Sequence, residues 1–123
     1  MTLNAVNGVT RVPDRGIPFT VDAVFADASG CETLLAAPGA STYLYIKKLV
    51  VTTDANITVT IGDGEDTSAV ETIRFGPIPF GTAGGSVTIP IARPVRLTAN
   101  KAFTVDASGA GNIHIYAEGE TAG

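Results

Sequence analysis

Few residues of this chain are of types that do chemistry. It has one histidine, one cysteine, and twelve carboxylates against eight Lys and Arg. His114 sits mid-strand beside Tyr116, where an imidazole could act as a general base if an acid and a nucleophile lay near it. No GxSxG element supplies that nucleophile. Cys31 follows Gly30 and precedes Glu32. A reactive thiol needs an electropositive setting, so this one reads as inert. Asp63, Glu65, Asp66 and Glu71 form an acidic run. Calcium takes such oxygen ligands, but the EF-hand spacing fails: Ser68 stands where the loop glycine belongs. The run GDGEDTS, residues 62–68, therefore reads as an exposed acidic turn. No catalytic residue, no cofactor and no metal ligand is assigned.

Charge and composition narrow the classes further. A formal net charge of -4 with eight cations does not fit nucleic-acid binding, which needs a clustered basic stripe. One cysteine excludes an intramolecular disulfide framework. No stretch reaches the ~18 apolar residues of a membrane span, and the N-terminus lacks the charged-then-apolar layout of an export signal. The expectation is a soluble protein with no nucleic-acid or membrane partner. Trp is absent, which weakens a carbohydrate-binding reading, though Tyr43, Tyr45 and Tyr116 remain as platforms.

The elements that must position these residues are strands. Thr, Val and Ile number 16, 12 and 10, while Leu, Glu and Lys number 6, 5 and 3 and Gln is absent. β-branched side chains fit a pleated sheet, and the scarce types are good helix formers. Residues 1–18 show little alternation and read as an extended N-terminal arm, with residues 19–123 as one domain. Phe19, Val21, Ala23 and Phe25 share one face of the first strand, with Thr20 and Asp22 on the other. CETLLAA (31–37) reads either as a short strand or as a helical turn. The run 41–53 is apolar on both parities except at Lys47-Lys48. Such a strand is central and covered on both sides, or bulged at the lysines. Ile57, Val59 and Ile61 then alternate with threonines. Pro77 and Pro79 confine the segment 76–80 to an edge or a crossover. Val87, Ile89 and Ile91 alternate, residues 95–99 follow, and Phe103–Ala107 and Ile113–Glu118 complete the set. About eight strands at roughly ten-residue spacing, with turn residues between, predict a single all-β antiparallel β-sandwich. Lys47, Lys48, Arg96 and Lys101 read as edge cations that block aggregation, or as salt-bridge partners at an interface.

From Tyr43 onward the order of elements is distinctive: YIKKLVVTTDANITVTIGDG, then FGPIPF, GGSVTIP, and PVRLTANKAFTVDASGAGNIHIYAEGE. Over residues 43–118 this resembles the small jelly-roll decoration (cement) proteins of tailed-phage capsids and similar virion accessory proteins. The resemblance implies a jelly-roll-like sandwich and a non-enzymatic virion structural protein. It implies a homo-oligomer, a trimer in particular, on the outer capsid surface, made in the host cytoplasm. The implied partners are the major capsid protein and other copies of the chain, with neighbouring capsomers tied together. The arm would reach a neighbour. Exposed aromatics and edges nominate Val12, Ile17, Tyr43, Tyr45, Pro77, Pro79, Phe80, His114 and Tyr116 as interface residues. The competing reading is a glycan- or receptor-binding sandwich of a phage tail or fibre.

Overall fold

A computed structural model describes residues 16–123. Val12 and the expected arm up to residue 15 lie outside the described residues. Among the described residues nine strands follow one another without a helix: β1 Ile17–Phe25, β2 Glu32–Leu35, β3 Tyr43–Thr53, β4 Thr58–Glu65, β5 Val70–Pro79, β6 Gly85–Ile89, β7 Val95–Arg96, β8 Phe103–Ala107 and β9 Ile113–Ala122. β1 begins two residues before the expected boundary at residue 19, because Ile17 and Pro18 pair with Thr121 and Glu120. The ambiguous 31–37 segment resolves as the short strand β2. β9 runs on to Ala122, through most of a tail whose polar sequence shows no alternation.

All pairings are antiparallel, in two sheets. One has the order β1-β9-β3-β6, with β7 also on β3; the other is β2-β8-β4-β5. Strands early in the chain thus pair with strands late in it. This interleaved order is that of a jelly roll. β6 and β7 occupy one position in two pieces. β6 pairs with Leu49–Thr53 and β7 with Tyr45 and Ile46. Pro90 and Pro94 lie in the interruption, where the missing N–H groups leave no ladder bond unmade.

The core lies between the sheets. Leu44, Ile46, Leu49, Val51, Val59, Ile61, Phe103, Val105, Ile113 and Ile115 are buried there. Each such side chain contributes about 1.5–3 kcal/mol on leaving water. β3 shows how its two apolar parities are reconciled. Leu44 and Ile46 point inward before the lysines, and Leu49, Val51 and Thr53 after them. Glu118 pairs with Lys48 but Gly119 pairs with Ile46, so Lys47 is an extra residue. The bulge reverses the inward parity, and both lysines are exposed. β3 is central to its sheet as well. Lys47 and Lys48 are therefore not edge residues; a bulge, and not an edge, lets two adjacent cations face water.

The reading of residues 62–68 as an exposed turn holds for 65–68 and is overturned for 62–64. β4 continues to Glu65, and Gly62, Asp63 and Gly64 are buried. Charge alone suggested solvent exposure. The ladder, however, carries these residues between β5 and β8. Gly62 is required by close approach: a Cβ there would stand 1.9 Å from the Thr72 carbonyl oxygen.

Candidate interaction face

The outward face of the first sheet is built by alternation. On β9, Ile113, Ile115 and Ala117 point inward, so His114, Tyr116, Glu118 and Glu120 point outward. Their partners on β1 are Val24, Asp22, Thr20 and Pro18. On β3, Thr52, Val50 and Lys48 stand opposite His114, Tyr116 and Glu118, and Tyr45 stands opposite Glu120 beyond the bulge. One face thus carries three of the protein's three tyrosines, its histidine and both bulge lysines.

The side chains are tied laterally. Tyr43 and Tyr45 have ring centroids 6.3 Å apart at 57°. The Arg96 guanidinium lies 4.6 Å over the Tyr43 ring, and Lys48 Nζ 5.7 Å from the Tyr116 centroid. Such cation–π contacts are worth about 0.5–1 kcal/mol at exposed sites. Lys47 Nζ meets Glu120 Oε2 at 2.6 Å. Tyr116 donates its hydroxyl to Glu118, and this bond to a carboxylate, with lesser desolvation and the charges of Glu118 and Asp22, holds the phenol above its ordinary pKa. Thr52 and Ser86 share a hydroxyl hydrogen bond of 2.9 Å. His114 Nε2 pairs with Asp22 Oδ1. Both are well exposed, so water screens that pair.

The interface residues nominated from sequence separate into three places. Tyr43, Tyr45, His114 and Tyr116 come together on this face. Pro77 and Pro79 are exposed on β5, the edge of the other sheet. Ile17 is 73% exposed at the start of β1. It borders an apolar hollow of about 290 Å³ with Phe19, Leu35, Pro38 and Leu44. Phe80 must be corrected. Its aromatic type beside two prolines suggested an exposed edge, but it packs in the core and its N–H donates to the Ile57 carbonyl at 3.0 Å. It offers a partner almost no surface. Sequence reading missed Val24, which is 69% exposed on the face with the tyrosines. Its parity, opposite to Phe25 and Ala23, was the available signal.

A second concavity of about 300 Å³ adjoins the face, bordered by Tyr45, Lys47, Pro94 and Glu120. Cys31 is buried, and desolvation, with the charges of Glu65, Asp106 and Glu32, raises its thiol pKa against a lowering bond from Thr104. The acidic residues do not converge. Asp63 pairs with Arg74 and Glu71 with Lys101. Among the described residues, no three His, Cys, Asp or Glu side chains come together as a metal site would require. No protein-family model matches the chain, and no curated protein matches it.

Proposed function

We propose that this protein is a non-enzymatic virion structural protein that binds the outer surface of a phage capsid as a homo-oligomer, a trimer in particular, and cements neighbouring capsomers. The reading starts from the resemblance over residues 43–118. The observation that carries it furthest is the outward face of the first sheet. Tyr43, Tyr45, Tyr116 and Val24 give that face an aromatic and apolar surface, interleaved with paired charges. Interface cores are enriched in such aromatics. The jelly-roll strand order is shared by viral capsid domains, but also by lectins, so fold supports the reading without choosing it. Binding only the assembled shell would stabilise that shell by mass action, and several copies per oligomer would add avidity.

A lectin-like reading draws on the concavity beside Tyr45, where an aromatic ring, Lys47 and Glu120 border a space of about 300 Å³. One measurement separates the two. Light scattering after size exclusion should give a species of three times 12.5 kDa or a multiple of it. A monomer that is retained on a glycan column, with retention lost in Tyr45→Ala, overturns the cement reading and establishes the other.

A further inference from the structure

Every strand edge in the second sheet, and the broken β6–β7 edge of the first, carries an obstacle to pairing: β5 has two prolines and two register shifts, β2 has four residues, and β6 and β7 are short. β1 differs. It is nine residues long, pairs with β9 without a register shift, carries no lysine or arginine, and has a single proline, Pro18, next to its N-terminal end. Among the described residues, no strand pairs with its other edge. An edge of this length and composition is a template for another strand.

We propose that β1 joins two copies of this protein, antiparallel, across a two-fold axis at Val21. The occupant follows from the self-complementarity of the strand. Of the three exposed large hydrophobic residues among those described, Ile17 and Val24 lie near opposite ends of β1. An axis at Val21, its central residue, overlaps all nine positions. Ile17 then stands opposite Phe25 of the second copy, Phe19 opposite Ala23, and Val21 opposite itself, all on the core side. On the outward side Val24 stands opposite Pro18, and Asp22 opposite Thr20. Each exposed apolar side chain meets an apolar partner. An axis at Asp22 would instead set two like charges face to face, which is destabilising.

The main chain agrees with this register. Pro18 stands opposite Glu120 of β9 and has no N–H. Within a sheet, proline is placed with its nitrogen toward the open side. Residues 18, 20, 22 and 24 therefore turn their main-chain groups outward. With the axis at Val21, Thr20 and Asp22 exchange both hydrogen bonds on either side of the axis, and the ladder ends at the Pro18–Val24 pairs, where proline has no N–H to return. The contact is isologous and closes, so it ends at two copies. It does not rest on the cement reading; a trimer using its outward faces would be linked through β1 to the next.

The register sets the test. Cα atoms of a hydrogen-bonded antiparallel pair lie about 5.5 Å apart, within disulfide reach. The diagonal Thr20–Thr20 and Asp22–Asp22 pairs lie at roughly 7–8 Å, beyond it. Full-length Thr20→Cys and Asp22→Cys proteins are mixed and mildly oxidised, each alone serving as control with Cys31 in place. A covalent two-chain species in the mixture, and in neither variant alone, is the expected result. Adding Val24→Lys to both, an exposed substitution that spares the core, should abolish the species. The proposal is overturned if the mixture cross-links no more than the single variants, or if the Val24→Lys proteins cross-link as well.

Discussion

The Arg74 Nε donates to Asp63 Oδ2 at 2.9 Å, and that carboxylate is completely buried. The backbone N–H of Thr98 donates to the same oxygen at 3.1 Å, and Arg74 also donates to Thr98 Oγ1 at 3.1 Å. The three residues tie β4 and β5 to the segment after β7. Among the described residues, Asp63 Oδ1 has no hydrogen-bond partner. Asp63 therefore depends on Arg74 for the compensation of its charge.

Arg74→Ala leaves that carboxylate buried and unpaired. Removing one partner of a buried pair costs about 3–5 kcal/mol. Because the arginine side is partly exposed, we expect about 3 kcal/mol, measured as a lowered urea midpoint at an unchanged slope. Arg74→Lys keeps the charge and should lose less. A loss below about 1 kcal/mol, the worth of a surface pair, would mean that water reaches Asp63.

Gly119 lies where β9 crosses the β3 bulge. A Cβ there would stand 2.0 Å from the Tyr45 carbonyl oxygen and 2.7 Å from Phe19 Cζ. Gly119→Ala should destabilise by about 2 kcal/mol, the usual cost of overpacking. Gly81 has open space around it, so Gly81→Ala should stay within about 0.5 kcal/mol. Equal effects on thermal unfolding would remove close approach as the reason for Gly119.

Cys31 should resist alkylation. Burial, seconded by Glu65, keeps its thiol protonated above the ordinary thiol range. Iodoacetamide at mildly alkaline pH should label the native protein far more slowly than the urea-unfolded chain. The same shift gives a sign for stability. Above the unfolded thiol pKa the unfolded chain releases a proton that the native protein retains, so stability falls as pH rises toward the folded value. Cys31→Ser should flatten that alkaline decline.

If the outward face docks on a shell, Tyr43→Ala and Tyr116→Ala should each weaken binding to assembled capsids by roughly 2 kcal/mol, the threshold for a hot spot. Unfolding midpoints should move little, since neither ring is in the core. Pro79→Ala, on the edge of the other sheet, should bind as the unaltered protein does. Loss of binding in Pro79→Ala alone would move the interface to β5.

Most strands and their alternation were legible in the sequence, and a bulge at Lys47-Lys48 was one of two alternatives it offered. Alternation is a local property. Ile115 and Ala117 alternate with His114 and Tyr116 because a strand's side chains alternate, whereas the pairing of Gly119 with Ile46 decided for the bulge over a strand covered on both faces. Only the tertiary structure decided that Asp63 is buried, that Phe80 is in the core and that His114 meets Asp22. Asp63 finds Arg74 through the β4–β5 ladder, and Asp22 reaches His114 across 92 positions of chain. Composition gives a carboxylate or an aromatic ring one average surrounding. Its actual surrounding is set by which distant strand pairs beside it and in what register, and a jelly roll draws those strands from opposite ends of the chain.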